Sequence, residues 1–139
     1  MKKRLADGED IQFTYECMHR EYARMQDVRV SLPDITFSTS MTIDLGGVTC
    51  LLEHRDSPHT RDAVFIHVKE DSVLIGGDAQ YEDYYDNCSK YDPDRLADFI
   101  AWIRTCEFTT YLKGHDEPSI SKEDFLKDLE ASFALLSRE

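Results

Sequence analysis

The fold is decided by two neighbouring runs, Ala63-Val64-Phe65-Ile66-His67-Val68 and Ser72-Val73-Leu74-Ile75-Gly76-Gly77-Asp78. Apart from His67, the first run is apolar at every position, and the second run contains the apolar stretch Val73-Leu74-Ile75. Strands with one solvated face alternate apolar and polar residues, whereas strands covered on both faces do not. The two runs are therefore predicted to be paired strands of a sheet that needs cover on both faces.

The rest of the chain supplies more strands and a set of helices around this hairpin. The glycine pair Gly46-Gly47 is a tight-turn signal between two further strands. Residues 41–45, 48–53, 63–68, 72–75 and 108–112 are predicted as strands, and residues 10–25, 93–105 and the segment capped by Ser121 as helices. The predicted fold is an α/β (α+β type) single domain over residues 1–139, with a mixed, mostly antiparallel sheet and helices on one face.

Composition limits the classes of partner. The 139 residues carry a formal net charge of −12, so a broad electrostatic interaction with nucleic acid or an anionic membrane is not expected. The basic start of the chain is followed by acidic residues and not by an apolar stretch, which predicts a cytoplasmic protein without a signal peptide. The four cysteines form no CxxC pair and are expected to be reduced thiols.

Three loops next to the predicted strands each present one good metal ligand. His59 precedes the strong strand, Asp78 follows two glycines, and His115 follows Gly114. Imidazole and carboxylate ligands suit zinc, iron or manganese. The alternatives are a turn-stabilising role for His59, a turn role for Asp78 and an ordinary loop position for His115. His54 is a possible additional ligand, although a surface histidine is the more ordinary interpretation of it.

The sequence around these residues resembles the metallo-β-lactamase superfamily. A His-Thr loop, Ser57-Pro58-His59-Thr60, precedes a strand, and a hairpin then ends in Gly77-Asp78. The later segment Tyr111-Leu112-Lys113-Gly114-His115-Asp116-Glu117-Pro118 is similar to the closing Gly-His loop of that family. The resemblance runs from about residue 31 to 137 and implies the C-terminal half of an αββα sandwich.

The resemblance also implies a role for each ligand. His59 would complete the first metal site, Asp78 would bridge two metals and His115 would bind the second, with zinc, iron or manganese as the cofactor and no catalytic residue beyond the ligands. The HxHxDH segment of the family is absent from this sequence, so a full dinuclear site within the chain is not expected. The implied function is a metal-dependent hydrolase in truncated form, inactive or weak alone and acting on a small-molecule substrate.

A second hypothesis is a non-catalytic half-domain that acts through self-association or a partner chain. The uncovered sheet face predicts a homodimer in which two such faces pack together. His67 shares a face with Ala63 and Phe65 and is interpreted as a core or interface histidine. The acidic, aromatic run at residues 81–86 either lines the mouth of a pocket or forms a solvated loop.

Overall fold

The computed structural model describes residues 12–22, 24–84, 90–115 and 119–136. The chain divides into two compact units, Met1–Thr36 and Phe37–Glu139. The first unit contains helix α1 (Gln12–Glu21) and a 3₁₀ turn (Met25–Asp27), where Arg24 makes a two-pronged ion pair with Asp27 at 2.9 Å. The helix was predicted over residues 10–25, but it ends at Glu21, and residues 10 and 11 lie outside the described residues.

The second unit is a sheet with two helices. The six strands follow one another across the sheet in sequence order, and every neighbouring pair is antiparallel except β4 and β5, which run parallel. The elements are β1 (Ser40–Asp44), β2 (Thr49–Arg55), β3 (Ala63–Val68), β4 (Val73–Gly77), α2 (Pro93–Thr105), β5 (Thr110–Lys113), β6 (Ile120–Ser121) and α3 (Lys122–Leu136).

Local sequence explains how these elements begin and turn. Gly46 and Gly47 have φ of 79° and 122°, a backbone conformation that side chains disfavour, and they close the β1–β2 hairpin as predicted. Parallel strands need a long crossover, which α2 provides between β4 and β5. Asp92 caps α2 through the backbone N–H groups of Asp94 and Arg95, and Ser121 accepts from the Asp124 N–H at the start of α3.

The core lies between one sheet face and the two helices. Phe65, Leu74 and Tyr111 project from neighbouring strands and are fully buried. Tyr111 stacks on Phe125 of α3 with the ring centroids 3.8 Å apart, and Phe65 packs against Phe99 of α2 at 5.8 Å. The predicted mixed sheet with helices on one face is therefore confirmed.

The strand predictions differ from the structure mainly at their ends. The strand at Ala63–Val68 is confirmed residue for residue, and the other predicted strands shift by one or two residues. The two-residue strand β6 is absent from the prediction because so short a segment carries no periodicity. Gly76 lies at a bulge where a Cβ would overlap the Tyr111 hydroxyl group, so this position of β4 requires glycine.

Candidate metal centre

Sheet topology brings the three sequence-predicted loops to one end of the sheet. β4 and β5 are parallel, so the residues that follow them, Asp78 and His115, leave the sheet side by side. β3 is antiparallel to β4, so its start lies beside the end of β4, and His59 precedes that start. The backbone N–H of His59 donates to the carbonyl oxygen of Ala79 at 3.4 Å, which ties the two loops together.

Asp78 and His115 are in direct contact. The His115 Nε2 atom lies 3.1 Å from Asp78 Oδ2, and both side chains reach solvent, with 40% of Asp78 and 74% of His115 exposed. The Gly114 N–H donates to the Gly77 carbonyl oxygen at 2.8 Å, so the hydrogen bonding between β4 and β5 continues as far as Asp78 and His115. A Cβ at Gly114 would overlap the Asp78 carboxylate, so glycine at this position makes room for that carboxylate.

His59 is oriented by the backbone of a neighbouring loop. Its Nδ1 lies 2.7 Å from the carbonyl oxygen of Glu82. A carbonyl oxygen only accepts, so Nδ1 carries a proton, and in the neutral ring the lone pair is therefore on Nε2. Metal-binding histidines are commonly held in this tautomer by a partner on the other ring nitrogen. The His59 ring also makes an edge contact with Tyr84 at 5.8 Å.

A buried ion pair holds the loop that carries His59. Arg95 of α2 pairs with Asp83 at 2.8 Å, and only 12% and 4% of their side chains are exposed. The Arg95 guanidinium also donates to the carbonyl oxygen of Ser57, which is itself buried. The Ser57 hydroxyl and backbone N–H both donate to the Thr60 carbonyl oxygen, closing the turn around His59. Neither Arg95 nor Asp83 was a sequence-predicted site residue, because a single arginine on a helix gives no signal about the loop it contacts.

Two hydrogen bonds from tyrosine hydroxyls hold Gln80 at this end of the sheet. The Tyr111 hydroxyl donates to Gln80 Oε1 at 3.0 Å, and the Tyr91 hydroxyl donates to the Gln80 carbonyl oxygen at 3.0 Å. Burial raises the pKa of both tyrosines, most strongly that of Tyr111, so both hydroxyls stay protonated and act as donors. Gln80 follows Asp78 by two residues, so these bonds restrain the turn that presents the carboxylate.

The remaining candidates have other surroundings. His54 is exposed on β2, and its Nδ1 lies 3.2 Å from the Ser38 carbonyl oxygen. His67 shares the covered sheet face with Phe65, as predicted, and its Nε2 lies 3.3 Å from Glu53. Burial lowers the pKa of His67, and the nearby Glu53 opposes that shift. Within the acidic, aromatic run, Glu82 and Tyr84 contact His59, and the Tyr81 ring lies 6.3 Å from that of His115. Tyr85 and Asp86 lie outside the described residues.

The His115 Nε2–Asp78 Oδ2 contact is a hydrogen-bonded ion pair, and its length can be compared with the spacing of two ligands on one cation. Two ligands of one tetrahedral zinc ion lie roughly 3.4 Å apart when each bond is about 2.1 Å, and the His115–Asp78 separation of 3.1 Å is close to that value. Within the described residues, no group of three or more His, Cys, Asp and Glu side chains is assembled to hold a metal. The structure thus joins Asp78 and His115, and it brings only the backbone of His59 alongside them.

Comparison with known proteins agrees with this fold. No protein-family model matches the sequence, and no curated protein matches it either. The structure is similar to that of a metallo-β-lactamase from Pontibacter korlensis, with a TM-score of 0.52, 21% sequence identity and 88% of this chain covered. The chain has a metallo-β-lactamase-like fold. It spans about half of that relative's length, 54%, and at this identity the likeness concerns the fold and not the activity.

Along the described ranges, no helix combines the length and the apolar character needed to cross a membrane. Cys50 and Cys106 are free thiols. Burial raises the pKa of Cys106 to about 11, so this core cysteine is a neutral thiol at neutral pH.

Proposed function

We propose that this chain binds one divalent cation, zinc or alternatively iron or manganese, through Asp78 and His115, with His59 as the third ligand. The contact of the His115 imidazole with the Asp78 carboxylate at 3.1 Å is the single observation that carries the proposal. The tautomer of His59, set by the Glu82 carbonyl oxygen, supports it because Nε2 is then ready to accept. A movement of the His59 ring or its loop is required, since the three side chains are not grouped among the described residues.

The chain's own residues have separate tasks in this site. Asp78 supplies negative charge, His115 and His59 supply neutral nitrogen donors, and Gly114 leaves room for the carboxylate. Arg95 is a positioning residue, because it holds the Ser57 loop and touches none of the ligands. A cation bound here would supply Lewis acidity toward a carbonyl or phosphoryl group of a substrate.

The proposed biochemical role is that of a partial metallo-β-lactamase-like hydrolase, weak or inactive by itself, acting on a small molecule in the cytoplasm. This chain covers only 54% of the similar protein from Pontibacter korlensis. A cation held by two or three protein ligands is bound less tightly than one in a four-ligand structural site. A low affinity for the cation is therefore expected.

Calorimetric titration with zinc chloride tests the proposal. The wild-type chain should bind one zinc ion, and Asp78→Asn should lower the affinity at least about tenfold because the carboxylate charge is removed. Asp98→Asn is the matched control, since Asp98 is an exposed aspartate on α2 away from the site, and it should leave the affinity unchanged. Equal zinc binding by the wild type and Asp78→Asn would refute the assignment.

A non-catalytic half-domain that works by association is the second candidate function. The face of the sheet turned away from α2 and α3 favours it, because it is apolar and none of its side chains is fully buried. The two candidates use different parts of the sheet, so a chain can have both properties.

A further inference from the structure

The face of the sheet opposite the helices forms a continuous apolar surface, here called the open face. Residues paired directly across neighbouring strands lie on the same face of a sheet. Ile66 of β3 pairs with Leu52 of β2 and Ile75 of β4, and all three alternate with the core residues of their strands. Following the register across β1 to β5 gives the full open face: Met41, Ile43, Cys50, Leu52, His54, Val64, Ile66, Val68, Val73, Ile75, Thr110 and Leu112.

Charge is missing from this surface. Aspartate, glutamate, lysine and arginine make up 32% of the chain, but none of them occupies an open-face position. The net charge of −12 is therefore carried elsewhere. Ile43 and Val64 are 38% and 42% exposed, and the other apolar members are partly exposed.

The size of the open face suits a protein interface. Five strands about 4.8 Å apart, each with two or three same-face residues about 6.8 Å apart, give a flat area of roughly 400 Å². Contiguous apolar patches of a few hundred Å² on soluble proteins mark interaction sites. A stable interface buries roughly 800 Å² per partner, so the open face would be its apolar centre and the surrounding loops its polar rim.

We propose that the open face binds the open face of a second copy of this chain, which makes the protein a homodimer. A charged partner surface would be left without counter-charges here, whereas an uncharged apolar face is complementary to itself. Two sheets pack face to face about 10 Å apart with interdigitating side chains, and a two-fold axis brings the same residues together from both copies. Each copy then has helices on one face and its partner's sheet on the other, which satisfies strands that are apolar on both faces.

The two-fold axis is expected near β3, because β3 is the middle strand of β1 to β5. Ile66 therefore lies at the centre of the interface, and Val64, the most exposed apolar residue of β3, lies beside it. A charge introduced at either position would be buried twice in the dimer, once from each copy, without an opposite charge to pair with. In the monomer the same charge would remain in contact with water.

Molecular mass in solution tests this proposal. Light scattering behind size exclusion should give about twice the chain mass of 16.1 kDa at micromolar concentration. Val64→Glu and Ile66→Asp should each raise the dimer dissociation constant at least about a hundredfold, with unchanged circular dichroism. Thr42→Glu is the matched control, since Thr42 is exposed on an outer strand and pairs with Leu51 on the opposite face, and it should stay dimeric.

The proposal is overturned if the wild type has a mass of 16.1 kDa throughout the micromolar range. Masses that rise above the dimer with concentration would overturn it too, because a two-fold contact closes on itself. A dimer that persists in both Val64→Glu and Ile66→Asp would place the interface elsewhere and would also overturn the proposal. Since Val64 is already exposed, Val64→Glu is expected to fold even if Ile66→Asp does not. The cation proposal is independent of each of these results.

Discussion

Replacing Arg95 with methionine should lower the free energy of unfolding by about 3–5 kcal/mol. The Arg95–Asp83 pair is almost fully buried, so methionine would remove the guanidinium that lies 2.8 Å from a carboxylate with little access to water. The Ser57 carbonyl oxygen would lose a charged donor as well. For a domain of about a hundred residues, where unfolding entropy amounts to roughly 0.2 kcal/mol per degree, this loss corresponds to a Tm lower by roughly 15–25 °C.

Urea denaturation followed by circular dichroism measures this loss. Asp83→Asn combined with Arg95→Met should recover a large part of it, because the buried charge is then removed. Arg104→Met is the control: the Arg104–Glu130 pair has the same 2.8 Å length but is 59% and 46% exposed, so its loss should cost less than about 1 kcal/mol. Equal losses for Arg95→Met and Arg104→Met would refute the view that burial makes the first pair important.

Three further outcomes are expected. Burial depresses the pKa of His67 in the folded state, so the neutral imidazole contributes its full stability above pH 6.5, and this contribution is lost as pH falls through the folded pKa. Urea denaturation at pH 7.5 and 5.5 should therefore show a smaller loss of unfolding free energy on acidification in His67→Gln than in the wild type. Gly114→Ala should lower the zinc affinity about tenfold in the titration, because the added methyl overlaps the Asp78 carboxylate and lies 3.1 Å from the Gly77 backbone carbon. Gly76→Ala should destabilise by about 1–3 kcal/mol in urea, since its methyl meets the buried ring of Tyr111; an unchanged midpoint would contradict that.

The sequence predicts those parts of the fold that have a strong local signal. The β3 strand is apolar along its whole length, and the Gly46-Gly47 turn requires positive φ, so both were correctly placed. The short strand β6 and the end of α1 have no comparable signal, because their limits depend on contacts made after folding. The apolar character of both faces of β3 is visible in the sequence alone, whereas what covers the face opposite α2 and α3 stays a prediction.

The sequence predicts the candidate ligands, but it does not predict the buried ion pair that holds the loop around His59. Asp78 and His115 were identified from loop position and from family resemblance, and the parallel pairing of β4 and β5 brings them together. The buried Arg95–Asp83 pair was missed, because only the tertiary structure places the first turn of α2 against the Ser57 loop. The metal ligation by His59, Asp78 and His115 stays a prediction, and so do the homodimer and the cytoplasmic location.

Anomalous diffraction at the zinc absorption edge, from crystals of the chain grown with zinc, tests the cation site most directly. One strong peak per chain is expected, about 2.1 Å from both Asp78 Oδ2 and His115 Nε2, with His59 Nε2 turned toward it. No peak at this end of the sheet, or a principal peak at His54 or between His67 and Glu53, would contradict the assignment of Asp78 and His115 as cation ligands.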